Sequence, residues 1–220
     1  MKYKTLSIII PVYNEERFID KVLESVIKAN SLGLNKEIII IDDGSDDGTK
    51  LKIISYIKEK KLKSKMFKIK TIFKKKNEGK GAAVKEGILA SNGDIVLIQD
   101  ADLEYSPQDY PFLLEPFFKY QADVVYGSRF LTNRPHRILY FWHAAGNHFL
   151  TTFSNIFTNL NLTDMETGYK VFRGDLIRKI AKKLKSKGFG FEPEITVKIA
   201  RIKNIKIYEV GISYFGRTYE

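Results

Sequence analysis

An α/β fold with a mostly parallel sheet is what this 220-residue sequence predicts, and three observations predict it. Short runs of β-branched and aliphatic residues recur along the first 130 positions, and they are apolar throughout rather than alternating, as strands buried on both faces are. Each run stops at a loop of acids, glycines or serines. Each loop then opens a helical pattern, and strands alternating with helices pair in parallel. The length suits a single domain with a substantial core. In such sheets ligands bind at the carboxyl ends of the strands, so these loops hold the candidate chemistry.

Leu6–Ile10 is the first strand, stopped by Pro11 and followed by Val12-Tyr13-Asn14-Glu15-Glu16. Phe18, Val22, Leu23 and Val26 then fall in helical phase. The loop is neither Gly-x-Gly-x-x-Gly nor a Walker A sequence, which argues against a dinucleotide fold and a P-loop NTPase. A second strand, Glu37–Ile41, ends in Asp42-Asp43-Gly44-Ser45-Asp46-Asp47-Gly48-Thr49, with Ser45 or Asp46 expected to cap a helix running to about Lys61. An acid at this point accepts hydrogen bonds from a ribose or base, or else serves capping alone. A third strand, Met66–Phe73, precedes Asn77-Glu78-Gly79-Lys80-Gly81-Ala82-Ala83. These open a helix of small residues, ending near Ala90, that can approach the sheet closely and turn its first amides toward a phosphate.

The fourth strand, Ile95–Ile98, ends in Asp100, Asp102 and Glu104. Carboxylates one residue apart in an extended segment point to one side, a spacing that offers Mg²⁺ or Mn²⁺ oxygen ligands and leaves coordination free for substrate phosphates. The alternative is that they cap the helix starting near Pro107. That helix is expected over Pro107–Tyr120 and a fifth strand over Ala122–Tyr126, leading into Gly127-Ser128-Arg129.

Beyond Arg129 the pattern changes. Arg134 and Arg137 flank Pro135 and His136, and residues 138–160 form a helical stretch rich in aromatics: Tyr140, Phe141, Trp142, Phe149, Phe153 and Phe157. Such a stripe is either core or an interfacial helix whose aromatic face dips into a bilayer, with Arg134 and Arg137 near lipid phosphates. A loop and strand over Asp164–Arg173, helices over Asp175–Leu184 and Glu192–Ile202, and strands near Ile205–Tyr208 and Ile212–Phe215 complete the chain, with Arg217 close to the end.

The net charge of +11 is local. Residues 50–85 hold 14 lysines against 2 glutamates, which outweighs the whole net charge and leaves the remainder near neutral. The lysines are either a solvated face or a landing surface for anionic headgroups. With no interleaved aromatic platform, nucleic acid ranks last as a partner. No stretch reaches the apolar length of a membrane span and no signal peptide is evident, so a cytoplasmic protein, peripheral on the cytoplasmic face of a membrane, is expected. Absence of cysteine excludes thiolate catalysis and cysteine-ligated metals.

Taken together, Pro11-Val12-Tyr13-Asn14-Glu15-Glu16, Asp42–Thr49, Gly79-Lys80-Gly81, Asp100-Ala101-Asp102 and Gly127-Ser128-Arg129 resemble the family 2 inverting glycosyltransferases, nearest the branch that loads polyprenyl phosphates. The resemblance runs almost end to end. It implies a GT-A fold, a Rossmann-like mixed sheet, with residues 1–128 binding the nucleotide sugar and 129–220 the acceptor. It implies a GDP- or UDP-linked hexose, Mg²⁺ or Mn²⁺, and a dolichyl or undecaprenyl phosphate acceptor. Pro11, Tyr13, Glu15, Ile41 and Asp43 would form the base and ribose pocket, Asp100 and Ala101 would touch the nucleotide sugar, and Asp102, helped by Glu104, would hold the metal. Arg129 and Arg217 would grip the diphosphate or the acceptor phosphate. Tyr140 and Ala144 stand where mannose synthases carry an arginine and a serine, which turns attention to Arg134, Arg137, His143 and His148. A phosphate acceptor needs no strong general base; a saccharide hydroxyl would need one, and Asp164 or Glu166 is the candidate. A binding module without catalysis is the third alternative.

Overall fold

The computed structural model describes residues 3–59, 67–131 and 140–216. The chain alternates as expected: β1 (Thr5–Val12), α1 (Ile19–Lys28), β2 (Asn35–Asp42), α2 (Thr49–Glu59), β3 (Phe67–Phe73), α3 (Lys80–Ala90) and β4 (Ile95–Ile98). A short 3-10 turn, Pro107–Asp109, leads into α4 (Tyr110–Lys119) and β5 (Val124–Ser128). Then come α5 (Phe141–Thr158), β6 (Lys170–Arg173), α6 (Gly174–Ala181), α7 (Phe191–Ala200) and β7 (Ile207–Gly211). The seven strands form one sheet in the order β3-β2-β1-β4-β6-β5-β7.

Both faces of the sheet are covered, which is why the central strands do not alternate in polarity. The pleat divides them instead. Ile8, Ile10, Ile38 and Ile40 face Val22, Leu23 and Val26 of α1 and Leu113 of α4 in one core. Ile9, Ile39 and Ile41 face Val84 and Ile88 of α3 and Ile177 of α6 in the other. α3 lies close to the sheet because of Gly87: a Cβ there would stand 2.4 Å from a methyl of Ile9 and 2.6 Å from one of Ile41.

β6 gives the sheet its mixed character. It lies antiparallel between β4 and β5, with Val96 opposite Phe172 and Val125 opposite Val171. Running backwards, it begins where its neighbours end. Lys170, its first residue, pairs with Tyr126 near the end of β5, so the loop before β6 reaches the edge where β1, β2 and β4 terminate.

Two local expectations are corrected and one alternative is decided. The strand expected over Ile212–Phe215 reduces to a single bridge between Tyr214 and Tyr105. The cap of α2 is Asp47, which accepts the Thr49 N–H at 2.9 Å, while Ser45 and Asp46 are tied to Asn14 of the first loop. The helix at 138–160 is not core, because of α5 only Thr151 and Ser154 are buried. Its aromatics, from Phe141 and Trp142 to Phe157, lie on the surface.

Candidate active site

The tips of β1, β2 and β4 and the start of α3 enclose a pocket of about 250 Å³. Pro11, Tyr13 and Glu15 line it from the first loop, Asp43 from the second, and Asp100, Ala101 and Asp102 from the fourth strand's end. Asp43 is buried and locked. Its carboxylate accepts from Lys74 Nζ at 2.5 Å and from the backbone N–H groups of Glu78 and Gly79, which ties the β2 tip to the start of α3. Ile41, expected in the base pocket, is instead fully buried in the core beneath α3, because its side chain falls on the inward side of the pleat.

Asp100 and Asp102 are put to different uses. Asp100 holds Lys80 Nζ at 2.8 and 3.0 Å through its two oxygens, and Glu192 stands 3.6 Å from the same ammonium. Burial opposes the charge on Lys80, but these two carboxylates prevail and keep it protonated. Asp102 lines the pocket and accepts the Glu104 N–H at 3.1 Å. Glu104, expected to assist with the metal, turns its carboxylate to the Tyr214 hydroxyl at 2.8 Å and is absent from the pocket lining. Among the described residues no group of three or more acids and histidines stands ready to hold a metal.

A second hollow, of about 410 Å³, is lined by residues from the end of β5 onward. Arg129 forms one wall and Trp142, His143, Gly146 and Leu150 of α5 another, with Glu166 and Tyr214 between. Asp164 was expected to meet the acceptor or act as a base. It is instead fully buried beneath Arg129: Oδ2 accepts Nε at 2.7 Å and the Arg129 backbone N–H at 3.0 Å, and Oδ1 accepts Nη2 at 2.7 Å. That fork aims the guanidinium and leaves Asp164 no free face. Glu166 is the carboxylate that reaches the hollow. Burial, reinforced by Glu192, pushes its pKa above the usual carboxylate range. His148, another acceptor candidate, packs on Phe130 with ring centres 4.6 Å apart, and His143 lines the hollow instead. Arg134, Arg137 and Arg217 lie outside the described residues.

Gly168 joins the two sides. Its N–H donates to the Tyr105 hydroxyl at 2.9 Å, and a Cβ there would lie 2.2 Å from Oδ2 of Asp100. The 163–168 loop can therefore approach Asp100 this closely only with glycine at this position. Among pocket residues, Lys80 and Asn77 were not named as site residues from sequence, although both sit in the motif that opens α3. Glu192 and the buried Lys170 had no local signal.

A family model described as glycosyl transferase family 2 matches residues 7–181. A dolichyl-phosphate beta-glucosyltransferase of Dictyostelium discoideum is 32% identical over 231 residues, covering 95% of this chain and 66% of that protein. Another, from Trichomonas vaginalis, is 28% identical, covering 95% and 65%. A dolichol-phosphate mannosyltransferase of Pyrococcus furiosus is 35% identical over 57% of this chain and 33% of its own length. The chain thus spans just under two thirds of the first two relatives. Among solved structures, glucosyl-3-phosphoglycerate synthase from Mycobacterium tuberculosis, in complex with Mn²⁺, UDP and phosphoglyceric acid, superposes with a TM-score of 0.71 at 20% identity, over 98% of this chain and 72% of that one. The fold is therefore GT-A, and by the extent of the family match the chain belongs to glycosyl transferase family 2.

Proposed function

We propose that this chain transfers a hexose from a nucleoside-diphosphate sugar to a polyprenyl phosphate at a membrane surface, with a divalent metal. The observation that carries the reading is the Arg129 hollow, in which a guanidinium fixed by Asp164 shares the lining with Trp142 and Leu150 of α5. Phosphate on an isoprenoid tail matches that pairing. α5 supports the membrane contact, because it is turned inside out. Its Thr151 and Asn155 hydrogen-bond Met165 and Leu162 of the following loop, while Phe149, Phe153 and Phe157 face outward. The relatives named for dolichyl-phosphate transfer point the same way.

The donor set fits Mg²⁺ or Mn²⁺, since such ions take one or two carboxylates and complete their shell with water and substrate phosphates. Asp102 would hold the ion, which when bound supplies Lewis-acid charge against the leaving diphosphate. Lys80 and Arg129 are the protein's own fixed counter-charges, and water need not reorganise around them during transfer. An acceptor phosphate is already an anionic nucleophile. In-line attack on the anomeric carbon, opposite the diphosphate, inverts the configuration. A second reading has one observation in its favour: Glu166, in the hollow with its raised pKa, suits a general base for a saccharide hydroxyl.

The test is a panel of UDP- and GDP-sugars with Mg²⁺ or Mn²⁺ and a short polyprenyl phosphate. Formation of a glycolipid supports the first reading. Transfer only to saccharides, abolished by Glu166→Gln, supports the second.

A further inference from the structure

Lys170 begins β6 at the tip edge and is 1% exposed. Its ammonium donates to the Thr167 carbonyl and lies 5.5 Å from the centre of the Tyr126 ring. Glu192 faces it from α7, Lys80 from α3, and Asp164 and Glu166 from the preceding loop. Asp164 is already taken by Arg129, and Glu192 stands beside Lys80. A buried ammonium that leans on a backbone carbonyl costs stability. Burial pushes its pKa down to about 8 against the pull of Glu192. A methionine would fill the same space without that cost, which separates what the ammonium does from what the side chain fills.

The carbonyl it grips belongs to the residue between Glu166 and Gly168. Two residues upstream of Glu166 is Asp164, which aims Arg129. Gly168 touches Asp100. We propose that Lys170 is a positioning residue for transfer: from the sheet it fastens the 163–168 loop at Thr167, and so keeps Arg129 and Glu166 in register with the nucleotide-side acids. The proposal deepens the reading above and rests on the Arg129 hollow receiving the acceptor.

The experiment uses Lys170→Met and Lys170→Gln in the full chain. Nucleotide binding is followed by calorimetry with Mn²⁺ and UDP or GDP, transfer with a short polyprenyl phosphate, and loop order by hydrogen exchange. The methionine variant should bind nucleotide within about twofold of wild type, lose about tenfold in kcat with a raised acceptor KM, and melt no lower. Amides of 163–168 should exchange faster in it. Glutamine keeps a donor for the Thr167 carbonyl and should restore part of both the exchange protection and kcat. Unchanged exchange across 163–168, or a kcat loss that tracks a lower melting temperature or lost nucleotide affinity, would overturn the proposal. A wild-type chain that makes no glycolipid defeats the parent reading instead, and the exchange comparison still decides the role of Lys170.

Discussion

Arg129 donates to Asp164 three times, twice through its guanidinium and once through its backbone N–H, and Asp164 has no exposed surface. Removing the charge from one member of a buried pair strands the other. Asp164→Asn should therefore lower stability by about 3 kcal/mol, read as a shift in the urea midpoint, and should impair acceptor use more than nucleotide binding. An unshifted midpoint would mean that the carboxylate is not what fixes the guanidinium. Asp102 presents the opposite case. It borders the open pocket, and its bond from the Glu104 N–H is one an asparagine oxygen can still accept. Asp102→Asn should leave the melting curve in place yet cost at least about a hundredfold in turnover and remove the Mn²⁺ dependence of nucleotide binding, since even groups behind a metal ligand are worth ten- to a hundredfold. Retained turnover would sink the metal role assigned to it.

α5 and β6 mark what elements add to residues. Three aromatic rings of α5, Phe149, Phe153 and Phe157, follow one another along one face at ring-centre distances of 6.3 and 4.7 Å, all exposed. A phenylalanine moved from water into an apolar medium gains about 1.5 kcal/mol or more. Replacing all three by serine should cut co-sedimentation with anionic liposomes by well over tenfold while leaving the fold intact, and unaltered partition would remove α5 from the membrane contact. Sequence could pose this face only as an alternative, because 3.6-residue periodicity reports that a stripe exists and not which side is wet. The parallel strands were legible for the opposite reason: runs such as Ile38–Ile41 are apolar on both faces, and their acidic ends mark the edge by themselves. β6 was legible as a strand but not as an antiparallel insertion between β4 and β5. Four residues carry no record of their neighbours, and with that placement unseen, Lys170, Gly168 and Glu192 had no visible connection to Asp100 or Arg129.

At the scale of the whole molecule, five of the lysines between 50 and 85 have separate tasks. Lys74 is spent on Asp43 and Glu78, Lys80 on Asp100, and Lys52, Lys70 and Lys85 on the carbonyls of Glu16, Ala90 and Leu184. Each of these five has a hydrogen-bond or ion-pair partner of its own. Lys170 differs in kind, because burial outweighs its attractions. With a folded pKa of about 8 against 10.5 for an ordinary lysine, the unfolded chain binds more protons than the folded one between those values. Stability therefore rises with pH across that window, by up to about 3 kcal/mol from this group alone. Below pH 8 the full cost of the buried charge is present, and above about 10.5 it is gone. Lys170→Met lacks the titration altogether. Its advantage in urea midpoint over wild type should be largest at pH 7 and shrink steadily through pH 8.5 to pH 10, while the other titrating groups cancel in the comparison. A gap that stays constant with pH would show that Lys170 has the same pKa folded as unfolded, so that burial does not weigh on its charge.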